Sequence, residues 1–176
     1  MKIVLRIGGS IIGSPPNPLI LKSYAKQISK LKEEGHTLVV VVGGGPLSRQ
    51  YIEIANALGL SDEDKDDLAI LVSRLNAKLL VKKLKDMAPD VVPSSIGQLT
   101  RLLRVSSITV MGGLKPGMTT DSVAALVAKA IKADLLIKAT DQEGVYTEDP
   151  KIYPEAKKLD FLTFDELSNM SKEKHK

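Results

Sequence analysis

Apolar residues fall along this chain in two alternating rhythms. Continuous, mostly β-branched runs appear at Ile3-Val4-Leu5-Arg6-Ile7, Leu38-Val39-Val40-Val41-Val42 and Ile108-Thr109-Val110-Met111. An unbroken apolar run suits a strand buried on both faces, as in a parallel sheet. Between the runs the spacing is helical. A helix is predicted near 19–34, after a Pro/Asn loop from Ser14 to Pro18, and Gly35 ends it. A second helix spans about 46–58 and closes at Gly59. Beyond the acidic stretch Asp62 to Asp67, a long helix carries Leu68, Leu71, Val72, Leu75, Leu79 and Leu80 as its apolar stripe. Strand-like pieces at 90–92 and 106–111 flank a short helix. An Ala-rich helix at 120–131, a buried strand at 134–139 and a terminal helix at 163–174 complete the pattern. This order predicts an α/β fold, with a mostly parallel sheet and helices on both faces. Residues 1–176 read as a single domain.

Three of these runs end in glycine: Gly8-Gly9-Ser10, Gly43-Gly44-Gly45 and Gly112-Gly113. Glycine lets backbone N–H groups close around an anion, near the positive end of the next helix. In open parallel sheets ligands bind beyond the carboxyl ends of the strands, where all three clusters fall. A phosphate-rich ligand is the expectation. Neither Gly-x-x-x-x-Gly-Lys-Ser/Thr nor Gly-x-Gly-x-x-Gly is present, which argues against a P-loop protein and a dinucleotide enzyme.

Composition narrows the classes further. Cysteine is absent, so neither a disulfide framework nor a Cys-based metal site is expected. No apolar stretch approaches the ~20 residues of a membrane span, and no signal peptide is visible, so a cytoplasmic protein is expected. The net charge is +4, spread along the chain, with four Tyr, two Phe and no Trp. That pattern suits small anionic ligands and gives nucleic-acid or membrane binding no support. The two histidines, His36 and His175, fall at a helix end and in the tail, both expected at the surface.

The ordered motifs extend the glycine clusters. They are Ile7-Gly8-Gly9-Ser10, Val41 to Gly45 with Arg49 and Tyr51, Asp66, and Ser73-Arg74-Leu75-Asn76-Ala77. Val110 to Gly113 through Pro116-Gly117, Thr119 to Leu126, and Gly144-Val145-Tyr146-Thr147-Glu148-Asp149-Pro150 follow. With these the chain resembles the amino-acid kinase superfamily, and within it the archaeal uridylate (UMP) kinases. The resemblance implies a three-layer αβα sandwich and transfer of the γ-phosphoryl of ATP to UMP, giving UDP and ADP in pyrimidine biosynthesis. It also implies Mg²⁺ and a homo-oligomer, a hexamer. On the donor side it points to Gly9, Ser10, Gly45, Arg49, Thr140, Asp141, Tyr146 and Asp149, with Arg6, Ser10 and Arg49 as catalytic candidates. On the acceptor side it points to Gly44, Asp66, Leu114, Lys115, Pro116, Gly117, Met118, Thr119 and Thr120; no protein metal site is implied. Asp66 at a helix head also suits an N-terminal charge, and Thr119 and Thr120 also suit a cap.

Several residues depart from the family pattern. Arg6 stands where many members carry lysine, which keeps the charge but changes its geometry. Ala69 replaces glycine, and Asp141 replaces an amide. Lys138 interrupts an apolar strand, where it needs an acid or a site to face. Family members usually continue for several dozen residues more; the expectation is either a truncated form or a shortened homologue that finishes its core by another route, and an uncovered sheet edge would favour pairing with another chain. Alternatives to a UMP kinase are a related kinase with another small acceptor, or a non-catalytic nucleotide- or oxyanion-binding homologue.

Overall fold

In the computed structural model, residues 1–173 are described, and His175 lies outside them. The chain divides into two compact units, Met1–Thr140 and Asp141–Lys176. The first holds four parallel strands: β1 (Lys2–Ile7), β2 (Thr37–Val42), β3 (Ile108–Met111) and β4 (Leu135–Ala139). Their order is β3-β2-β1-β4. Val4 stands beside Val39 on one side and Leu136 on the other, and Arg6 stands between Val41 and Lys138.

Helices α1 (Gly9–Ile12), α2 (Pro18–Glu33), α3 (Gly45–Ala57), α4 (Asp62–Leu84), α5 (Ile96–Leu102) and α6 (Thr120–Ile131) surround that sheet. One face packs Ile3, Leu5, Ile7, Val40 and Val42 against Ile28 of α2 and Ala77, Leu80 and Leu84 of α4. The other packs Val4, Val39 and Val41 against Leu99 of α5 and Val123 and Val127 of α6. Alternate strand positions thus feed opposite layers, which explains the unbroken apolar run 38–42 of β2 and the apolar positions flanking Arg6 in β1. This is the three-layer αβα arrangement expected from the sequence. The second unit carries a two-stranded antiparallel ribbon, β5 (Val145–Tyr146) with β6 (Lys158–Leu159), and α7 (Phe164–Glu173).

Three expectations need correction. The predicted stripe of α4 is half right: Val72 and Leu80 are buried, whereas Leu71, Leu75 and Leu79 are exposed at 59%, 57% and 41%. The buried face is Ile70, Val72, Ser73, Asn76, Ala77, Leu80, Val81 and Leu84. Ser73 and Asn76 interrupt that face in the sequence, yet they are buried because they bind the glycine junctions described below. Residues 90–92 form no strand. Pro89 and Pro93 bracket them and remove ladder donors, and the Asp90 carboxylate takes Lys78 at 2.7 Å and Lys82 at 2.6 Å. Those two ammonium groups hold its carboxyl below the usual range. Finally, β4 is not buried. Leu135, Leu136 and Ile137 keep about two-fifths of their surface exposed, because β4 is the sheet edge with β1 as its single neighbour. The short α1, at the first glycine cluster, has no periodicity to announce it.

Candidate active site

Helix α4 sets the frame of the site by gripping two strand-to-glycine junctions. The Asn76 amide donates to the carbonyls of Gly43 (3.0 Å) and Gly44 (3.2 Å). Ser73 Oγ accepts from the N–H of Gly113 at 2.7 Å while donating to the Ile70 carbonyl. Arg74 completes the grip, its guanidinium donating to the carbonyls of Gly113 and Leu114 at 3.0 Å each. Buried backbone groups at strand ends need such partners. Three side chains within four residues of one helix supply them. The sequence hid these roles, because each partner lies more than thirty residues away and is a backbone atom.

Glycine here serves packing as well as ligand approach. A Cβ added at Gly9 would overlap the backbone of Gly44 and Gly45, so the first and second junctions touch main chain to main chain. Gly45 also has φ +69°, a conformation that side chains resist. At Gly112 a Cβ would come within 2.7 Å of Arg74 N and Ser73 Oγ. The three clusters therefore draw the strand ends and α4 together.

The start of α3 differs from those of α2, α4, α5 and α6 and resembles that of α1, whose N-cap, Gly8, likewise carries no side-chain cap. Helices α2, α4, α5 and α6 begin with side-chain caps from Asn17, Ser61, Ser95 and Thr119. Helix α3 begins at Gly44, with no side-chain cap and Pro46 in its first turn. Its opening N–H groups and positive dipole end face outward without a protein acceptor from a capping side chain.

That start borders a cleft of about 360 Å³ lined by Gly44, Ser48, Asp66, Ala69, Ile70, Ser73, Gly113, Lys115, Gly117, Met118, Thr119 and Thr120. Of the acceptor-side candidates, Gly44, Asp66, Lys115, Gly117, Met118, Thr119 and Thr120 come together in it. Leu114 and Pro116 do not line it; the Leu114 side chain packs on the core beside α6. Asp66 is not the helix-head charge. A capping box of Ser61 and Asp64 already closes α4, and Asp66 reaches across to accept from Gly117 N at 2.6 Å. Thr119 caps α6, accepting from Ser122 N at 3.1 Å, and Thr120 Oγ1 accepts from Arg6 at 3.2 Å. Ser48, Ala69, Ile70, Ser73 and Gly113 complete the wall; Ala69 puts a methyl group beside the cleft.

The donor-side candidates are spread more widely. Gly9 and Gly45 are in contact, Ser10 is exposed beside them, and Arg49 is exposed on α3 without an ion pair among the described residues. The Arg6 guanidinium rises beneath Gly8, where a Cβ would stand 3.0 Å from its Nη1, and pairs with Asp121 at 3.1 Å. Thr140 closes the first unit, and Asp141 opens the second. Within the second unit Tyr146 and Asp149 share a cleft of about 300 Å³ with Gln142, Gly144, Glu148, Pro150 and Lys151. Tyr146 is half-buried, its hydroxyl 3.4 Å from Glu143. Asp149 accepts from Lys151 N at 2.9 Å, which makes its carboxylate part of a turn.

His36 sits far from this chemistry, 3.3 Å from the Met1 amino group and 3.8 Å from Glu34. Among the described residues no group of three His, Cys, Asp or Glu side chains could hold a metal ion. Among them, too, no helix is long and apolar enough to cross a membrane.

Fold and cleft together define an open parallel α/β protein whose site lies beyond the carboxyl ends of its strands. The comparisons sharpen that class. The model of the amino acid kinase family matches residues 1–176. A uridylate kinase of Methanocaldococcus jannaschii is 41% identical over 175 residues, covering 97% of this chain and 76% of its own. One from Hyperthermus butylicus is 43% identical over 165 residues, covering 94% and 73%. The crystal structure of uridylate kinase from Archaeoglobus fulgidus superposes with a TM-score of 0.89 at 39% identity, over 97% of this chain and 77% of that one. The chain belongs to the amino acid kinase family.

Proposed function

We propose that this chain is a UMP kinase, moving the γ-phosphoryl group of ATP onto UMP to give UDP and ADP. The observation that carries the reading is the 360 Å³ cleft, where the uncapped start of α3 and the Asp66–Gly117 clasp meet in one wall. The uridylate kinases of M. jannaschii and H. butylicus support it by their names and their identity to this chain.

The chemistry asks little of side-chain acid–base groups. The attacking oxygen of UMP is already anionic, so no general base is required. Rate enhancement comes from holding two polyanions in line and spreading fixed positive charge over the transferred group. We assign the acceptor phosphate to the α3 start and the Lys115–Thr120 loop, and the nucleoside to the wall formed by Asp66, Ala69 and Ile70. We assign the donor phosphates to Gly9, Ser10, Gly45 and Arg49, with Arg6 as a further cationic participant. Thr140, Asp141, Tyr146 and Asp149 are assigned to adenosine and the phosphate tail.

Mg²⁺ enters in this reading as part of the nucleotide. The side chains near the cleft offer no cage, and Mg²⁺ is a cation that keeps its waters and binds phosphate oxygens. Its contribution is to neutralise the donor phosphates; the residues above orient and enclose them. We further place the protein in the cytoplasm and propose that it self-associates. The exposed Leu71, Leu75 and Leu79 of α4 support an assembly, since water-facing leucines at helical spacing gain by burial.

Scanning UMP, CMP, AMP and small carboxylic acids as acceptors with ATP and Mg²⁺ tests the reading. Preferred turnover of UMP is expected. Turnover of a carboxylic acid without turnover of UMP would overturn it.

A further inference from the structure

Lys138 is the one ionisable residue of β4, whose sequence is LLIKA. The parallel register sets it directly beside Arg6. Both project toward the α6 layer, because Val4, two residues before Arg6, packs there against Val123 and Val127. Asp121, in the first turn of α6, stands between them. Arg6 Nε lies 3.1 Å from one carboxylate oxygen, and Lys138 Nζ lies 3.4 Å from the other.

The three charges are not equivalent. Arg6 is held tightly: its side chain is 15% exposed, it also binds Thr120, and it supports the underside of Gly8. Lys138 is 58% exposed, with the longer contact. Arg6 and Asp121 alone cancel, leaving no net positive charge for a polyanion arriving at Gly8-Gly9-Ser10. Lys138 leaves the cluster with excess positive charge. An exposed ion pair is worth only about 0–1 kcal/mol. Moving the lysine's ammonium from Asp121 onto a phosphate oxygen therefore sacrifices little.

We propose that Lys138 is a phosphate-site cation, which screens Asp121 and supplies the net positive charge for a polyphosphate at the first glycine junction. The inference deepens the UMP kinase reading and rests on it for the identity of that polyphosphate as the donor. A purely structural lysine would instead serve only to tie β4 to α6.

The test compares the full chain with Lys138→Met and Lys138→Arg. Calorimetry gives the affinity for Mg·ATP and for inorganic tripolyphosphate at low and physiological salt, and steady-state kinetics separates the KM values for ATP and UMP. Lys138→Met is expected to weaken both ligands roughly tenfold at low salt, the loss of a charge-assisted contact. The difference should shrink as salt rises, the KM for UMP should stay unchanged, and Lys138→Arg should recover most of the loss. Unchanged tripolyphosphate affinity in a folded Lys138→Met protein, or a loss that Lys138→Arg does not recover, would overturn the proposal. Failure of the kinase reading appears separately, as missing UMP turnover in the unsubstituted chain. Tripolyphosphate binding still reports on Lys138 in that case.

Discussion

Helices α3 and α6 both begin at the wall of the same cleft, and they begin in opposite ways. At α6 the chain closes its own end: Thr119 Oγ1 accepts from Ser122 N at 3.1 Å and also lies 3.0 Å from Ser122 Oγ. At α3 the N-cap is Gly44, and no side chain closes the end. A glycine N-cap in place of a side-chain cap costs a helix about a few tenths of a kcal/mol. The sequence accepts that cost at the triple glycine and not at Thr119. The contrast marks where the proposed function puts an anion: one helix end is completed by the protein, and the other has no side-chain cap.

The largest expected effect comes from damaging the α3 start itself. Gly45→Ala would force a side chain into φ +69° and against the Gly9 backbone. A loss of at least about 2 kcal/mol in folding stability is expected from strain and overlap together, read from the urea midpoint, with phosphate binding lost as well. Gly117→Ala is the matched control. Gly117 has φ +73° but nothing within 4 Å of an added Cβ, so it should show the strain alone. Equal losses at both positions would mean that contact between the first two glycine junctions is unimportant.

A smaller effect sharpens the other side of the contrast. Thr119→Ala removes the cap of α6 and should cost about 1 kcal/mol of stability. The cost should shrink when UMP is added, if an anion can take over the vacated N–H groups. Stability measured with and without UMP checks this. A loss that UMP leaves untouched would confine Thr119 to capping.

Much of this architecture was legible in the chain because both rhythms are strong. The valine run of β2 reads as a doubly covered strand and is one: Leu38 through Val42 are fully buried. The glycine junctions were visible too, although part of their purpose was not. Gly9 meeting Gly45, and Gly112 meeting Ser73 and Arg74, depend on how distant segments pack. For the same reason the α4 stripe is only partly legible. Leu71, Leu75 and Leu79 extend it on paper beyond the buried Val72 and Leu80, but Ser73, Arg74 and Asn76 turn the helix toward the carbonyls and N–H groups that need them. The exposure of β4 could not be read either, since Leu135-Leu136-Ile137 looks the same whether or not a neighbour covers its free edge. Asp66 shows the limit at the site. Its place at a helix head suits a dipole partner as well as the substrate contact the resemblance implies, while its reach to Gly117, 51 residues away, is a tertiary fact.

The central claim is that the α3 start binds phosphate through bare backbone N–H groups, and amide NMR of the folded protein tests it most directly. Pro46 carries no N–H, so Gly45 and Leu47 are the reporters in the first turn of α3. Leu19 of α2 and Gln98 of α5, whose N–H groups already donate to Asn17 and Ser95, are the internal references. On titration with UMP and then with Mg·ATP, the Gly45 and Leu47 resonances should move downfield to saturation while Leu19 and Gln98 stay nearly fixed. Saturating binding that leaves Gly45 and Leu47 unmoved would contradict the account, because the phosphates would then be held elsewhere.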